Sequence, residues 1–267
     1  QIEQLNLFDV AINTVTLNSS GVLTFNGNSD VIGNLVLTTG NTYSADVTTG
    51  AGMLTLGGNL TLQTFQGSSG ITPAATIGGN LNLGSFFSGG ASGTGQGASR
   101  TFSIADTQLQ HIGTDLFISA NITGTSDVAI TQTGAGTLQL GGNNSGWNGP
   151  YIMQGGGVLE LASNTALGGG LVSFQNNGNV VRAIGTSRTI SNPLSLDGNV
   201  TFLGDDNTPG AEGLTFTGNA VLTGDRTLLT MDPTQNVTFS GVIEDGIFAS
   251  RSLAKSGRGI LTLTAPN

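Results

Sequence analysis

Cysteine is absent from all 267 residues, so neither a disulfide nor a thiolate metal site holds this chain together. A cysteine-free chain fits export through a compartment that oxidises thiols. Charge is nearly as scarce. Only 9% of residues are charged, where an ordinary soluble domain has about a quarter. The balance is acidic, −9 overall, with the arginines spread singly and Lys255 the one lysine. Nucleic acid and anionic lipid both need clustered cations, so neither is expected as a partner. No apolar run nears the ~20 residues of a membrane helix, so this segment is not expected to insert in a membrane. The one histidine, His111, has no partner at ligand spacing, and a zinc site needs three or four ligands. A lone histidine without a Gly-x-Ser-x-Gly elbow also argues against Ser-His-Asp chemistry.

What the chain does have is glycine, 44 of them, and short runs of alternating apolar and polar residues. With 37% of residues hydrophobic, it carries too much apolar side chain for disorder. Residues 130–170 show the pattern best. Leu138 and Leu140 face one way, and Thr137, Gln139 and Gly141 the other. After a turn at Gly155, Gly156 and Gly157, the alternation returns at Leu159 and Leu161. Neither strand buries its apolar side alone, so each needs a neighbour above and below. Residues 133–140 (TGAGTLQL) recur later as 256–263 (SGRGILTL), and earlier as 49–56 (TGAGMLTL). A second theme is a Gly-Asn turn followed by an alternating strand; its asparagines include Asn34, Asn59, Asn80 and Asn199. The leucines that follow the first three of these are Leu35, Leu60 and Leu81, evenly enough placed to suggest a repeat. A period of roughly 20–25 residues means a solenoid or an array, not one closed globular core.

The run of Lys-Ser-Gly-x-Gly-x-Leu-x-Leu, a Gly-rich turn and Gly-x-Leu-x-Leu resembles the autotransporter-associated β-strand repeat of secreted Gram-negative passenger domains. The full match covers residues 130–170; residues 253–267 match its first half and 49–59 its core. The resemblance implies a right-handed parallel β-helix, secreted or held at the outer surface of a Gram-negative cell. It implies no chemistry, because such repeats occur in adhesins, fibres and enzymes alike. The sequence shows neither the membrane barrel nor the signal peptide of a whole autotransporter, and Asn267 falls within a repeat. The chain is therefore expected to be a piece of something longer.

The expected fold is all-β: a parallel β-solenoid over residues 1–267, a single segment of about a dozen rungs, each of ~20–25 residues. Loop excursions are expected at 84–100 and 204–213. Asn34, Asn59, Asn80 and Asn199 each precede a strand in the same way, which predicts some stacked amide ladder between rungs.

Candidate contact residues are few. Phe86 and Phe87 sit on the Gly/Ser loop 84–100, where a protruding binding loop is one reading and a plain excursion the other. Trp147 and Tyr151 lie in the turn GNNSGWNGPY, either sealing the corner or forming an aromatic platform for a sugar. Asp205 and Asp206 are a weak cation candidate, although their spacing fits no known calcium loop. No cofactor and no other metal is expected. The leading functional reading is non-catalytic: a structural or adhesive surface protein, a stalk, fibre or filament subunit. Its partners would be other chains, end to end or side by side, or a glycan or host surface. One alternative is a polysaccharide lyase or hydrolase, whose acids would come from Asp205, Asp206, Asp232, Glu244 and Asp245. Another is a flat-faced binder of ice or crystalline glycan, using threonine rows that include Thr16, Thr24, Thr55 and Thr61.

Overall fold

The computed structural model describes residues 14–65, 73–84, 99–107, 113–154, 156–204, 212–246 and 250–266. Within them every element is a short strand and every pairing is parallel. The strands stack into a β-solenoid. Two faces are continuous sheets of ten strands each; the third face is split into two sheets of four. The chain takes the faces in the same order on each turn, so ten stacked layers make about nine turns. At ~4.8 Å per layer this is roughly 43 Å of axial length.

Alternation builds the core. Inward residues stack in columns, such as Leu116, Leu138, Leu159, Val181 and Phe202 on the second face. All five are buried. Each apolar side chain removed from water in this way stabilises by about 1.5–3 kcal/mol. Because a layer touches only its neighbours, stability accumulates along the stack.

The layer count falls below the expected dozen for a physical reason. Leu35 and Leu60 are partners in adjacent layers, so the step between them is one true turn. Leu81 belongs to the third face, and the partner of Leu60 one layer on is Phe102, far beyond it in the chain. The next step, Phe102 to Gln132, is also a long one. Later turns are shorter and more even, from Gln132 through Met153, Phe174 and Leu196 to Leu222. The two long layers hold residues outside the described set. The expected 84–100 excursion also ends sooner, since Ser99 and Arg100 already belong to strand Ser99–Ile104. The 204–213 excursion is likewise narrower at its edges, where Gly204, Glu212 and Gly213 are described; 205–211 lie outside.

The repeated octapeptide is a corner, not a rung. Residues 133–136 turn the chain from the first face to the second, whereas 49–52 and 256–259 turn it from the second to the third. All three corners place a glycine at positive φ: Gly50, Gly134 and Gly257. A Cβ on Gly134 would sit 2.2 Å from the Ile104 carbonyl of the layer below, so the corner closes only with glycine.

The asparagine ladder exists in a different form. Asn34 Oδ1 accepts the Asn59 N–H at 2.8 Å, and Asn59 Oδ1 accepts the Thr101 N–H at 2.9 Å. Asn199 accepts the Thr227 N–H in the same manner, at 2.8 Å. These amides cap the first backbone donor of the next layer instead of pairing with one another. A strand start leaves that donor without a ladder partner, and the side-chain oxygen supplies one. Asn80 departs from the pattern: its Nδ2 donates to the Gly52 carbonyl at 2.9 Å, and its Oδ1 accepts from Asn121 Nδ2 of the next layer at 3.5 Å, the amide-to-amide stacking expected from sequence.

Candidate functional site

The third face has no strand in two successive layers, and those layers belong to the stretch 130–170. Between strands Thr137–Leu140 and Tyr151–Met153 runs one irregular segment, and between Val158–Leu161 and Val172–Phe174 another. Trp147 fills the space a strand would occupy. It is fully buried, and its Nε1 donates to the Val128 carbonyl at 3.0 Å. Side-chain amides replace the missing ladder. Asn144 accepts the Ile122 N–H at 2.7 Å and donates to the Ala166 carbonyl at 2.7 Å. Asn192 donates to the Gly170 carbonyl at 2.7 Å. Tyr151 is also fully buried, its hydroxyl donating to Gln132 Oε1, and burial pushes that hydroxyl well above the usual tyrosine range. Neither ring reaches solvent, so this placement offers no aromatic platform to a sugar. Phe86, Phe87, His111, Asp205 and Asp206 lie outside the described residues.

The remaining acids do not converge. Asp232 Oδ1 accepts the Thr234 N–H at 2.9 Å and the Thr234 hydroxyl at 2.7 Å, and those bonds hold its carboxyl below the ordinary value. A carboxylate stabilised that way is a poor proton donor. Glu244 and Asp245 are consecutive on strand Ile243–Asp245 and therefore point to opposite sides. Among the described residues, no three His, Cys, Asp or Glu gather at metal-binding distance.

Buried charge serves the scaffold. Arg100 takes an inward column, where its Nε donates to the carbonyls of Leu56 and Leu83 at 3.2 and 3.1 Å. Arg188 and Arg226 donate in the same way to the carbonyls of Leu161 and Leu196. Arg182 pairs with Glu160 of the neighbouring layer at 2.6 Å, both side chains buried, and Thr114 donates to the second Glu160 oxygen at 2.5 Å. Three further cations, Arg251, Lys255 and Arg258, are exposed.

The four threonines chosen from sequence do not form one array. Thr16 and Thr61 lie on the first face, Thr24 on the second and Thr55 on the third. A regular array does exist, on the later third-face sheet. Thr189, Thr215, Thr238 and Thr262 are direct cross-strand partners in four successive strands. Two residues on, Ser191, Thr217, Ser240 and Thr264 continue the register, because the N–H groups of Thr217, Ser240 and Thr264 bond the carbonyls of Ile190, Phe216 and Phe239. All eight are exposed or half-exposed. Reading from sequence missed them because the signal is only a tripeptide, Thr-apolar-Ser/Thr, recurring at uneven intervals.

No family model, curated protein or solved structure matches this chain.

Proposed function

We propose that this chain is a non-catalytic β-solenoid rod, exported from a Gram-negative cell and presented outside it as part of a stalk, fibre or filament. The observation that carries this reading is how the polar inventory is placed. Four arginines and the buried Glu160 satisfy backbone or each other between layers, and no three acids gather among the described residues. Such a chain invests its charge in stiffness along one axis. The likeness of residues 130–170 to autotransporter repeats supports export and surface display. Self-association, end to end or side by side, is part of the same proposal. Adhesive contacts with a glycan or a host surface would then be made by the sides of the rod.

Electron microscopy of the native material tests the reading. Unbranched rods with a fine axial repeat are expected, and compact isolated particles would sink it. A panel of polysaccharides should be left uncut; depolymerisation of any one would move the chain to the enzymes.

A further inference from the structure

We infer that the hydroxyl array on the later third-face sheet is an ice-binding surface, one that orders water into an ice-like layer. The inference goes beyond the rod reading and does not depend on it. Its geometry is a two-column lattice of Thr189, Thr215, Thr238 and Thr262 beside Ser191, Thr217, Ser240 and Thr264. The strand ladder spaces rows ~4.8 Å apart, and two residues of extended chain space the columns by ~6.6 Å. All eight positions hold a hydroxyl, where strand preference alone would mix valine, isoleucine and tyrosine with threonine.

A second observation is independent of the spacing. Some serine and threonine hydroxyls elsewhere on the rod are tied into the protein. Thr76 donates to Asp46, Thr107 to Asp115, and both Ser173 and Ser195 to Asp197. On this face only Ser240 bonds the protein, through the Phe216 carbonyl at 3.3 Å; the other seven hydroxyls bond no described residue. They are left to an outside partner.

Charge selects that partner. No outward position in these four strands carries a charged side chain, although the chain as a whole is strongly acidic. A neutral face complements a neutral lattice. Charged side chains would hold their own hydration shells, whereas each hydroxyl donates one hydrogen bond and accepts two, as a lattice water requires. A polysaccharide surface would instead call for exposed rings to stack on the sugars, and none faces outward here. The face is also pre-organised. Threonine is stiff at χ1, and Phe216 and Phe239 stack directly beneath it with ring centroids 5.0 Å apart. Little ordering entropy is then lost on contact.

The test is the gap between melting and freezing of a single ice crystal held in a solution of the intact chain. A measurable gap with faceted growth is expected. The T215K/T238K pair should abolish most of it, while T101K/T131K on the first face should leave it unchanged. Circular dichroism and thermal midpoints establish that each variant is folded; if the first pair disturbs the fold, T217K/T264K at the strand ends reads the same loss. No gap for the unmodified chain overturns the inference. So does an equal loss from the first-face pair, or retention on crystalline cellulose or chitin with no effect on ice.

Discussion

Replacing Trp147 by alanine tests how the stack survives two layers without a third-face strand. The indole is fully buried, and Gly124, Gly149 and Gly168 lie against it. Removing a buried tryptophan side chain costs about 3–5 kcal/mol, because the surrounding backbone collapses only in part. The Val128 carbonyl also loses its 3.0 Å donor, and a buried unpaired acceptor costs about 1–3 kcal/mol. The two overlap, so roughly 5 kcal/mol is expected, against the ~5–15 kcal/mol that holds a typical domain. W147F keeps most of the ring and loses the donor, so it should cost about 1–3 kcal/mol. Urea unfolding followed by circular dichroism reads both values. Hydrogen exchange reads where the damage falls. Each layer leans only on its neighbours, so the amides of Trp147, Gly168 and Gly169 should lose protection while those of Ser240 and Thr217 keep theirs. Trp147 is the one tryptophan, so native emission reports directly on this site. It should be that of a dry indole, barely quenched by acrylamide and unmoved by oligosaccharides. A cost for W147A below ~1 kcal/mol, or an indole quenched as freely as in the unfolded chain, would refute the account.

Glu160→Ala leaves the Arg182 guanidinium buried without its carboxylate and should cost about 3–5 kcal/mol, whereas E160M/R182M should recover most of that in the same urea titration. Gly134→Ala meets the Ile104 carbonyl at a φ of +90, so a loss of about 1–3 kcal/mol is expected, with the thermal midpoint as readout. Burial raises the Asp197 carboxyl, but hydrogen bonds from Ser173, Thr223 and Ser195 outweigh it and leave the group below its ordinary 3.8. Its contribution is therefore present above pH 3.8 and lost as the pH falls through the lower folded value, so the stability gap between wild type and D197N should close in strong acid; a pH-independent gap would contradict this. Asp115 runs the opposite way. Burial raises its carboxyl above the ordinary value despite donors from Thr107 and Thr137, so its ionisation costs stability as the pH rises, and D115N should flatten that slope.

Much of the fold is legible in the sequence because its signals are local. Alternation such as Leu-Thr-Leu at 54–56 places a strand with two inward side chains whatever lies above it. A glycine pair such as Gly134 and Gly136 places a corner, since a side chain on either would strike a carbonyl of the layer below. What is not local is the face. Different vertices of the rung ask for the same thing, a left-handed residue beside a neighbouring carbonyl, so TGAG serves at either kind of corner. Leu81 looks like the successor of Leu60 for that reason, and the count of layers goes wrong with it. Arg100 illustrates the other gap. It puts a charge at an inward position of strand Ser99–Ile104, and only the stacking of layers brings the Leu56 and Leu83 carbonyls to its Nε.

The hydroxyl array follows from the same distinction. Thr189, Thr215, Thr238 and Thr262 are unevenly spaced along the chain, and no fixed period links them. They align because insertions are absorbed at the corners while the ladder conserves register, one residue against one, as in Thr215 opposite Thr238. A one-residue slip would send every threonine inward and Phe216 and Phe239 into water. The aromatic stack beneath the face therefore fixes the hydroxyls above it. A stacked core that tolerates variable turns can hold a two-dimensional lattice on its outside, with spacings set by backbone hydrogen bonds and not by the length of the repeat.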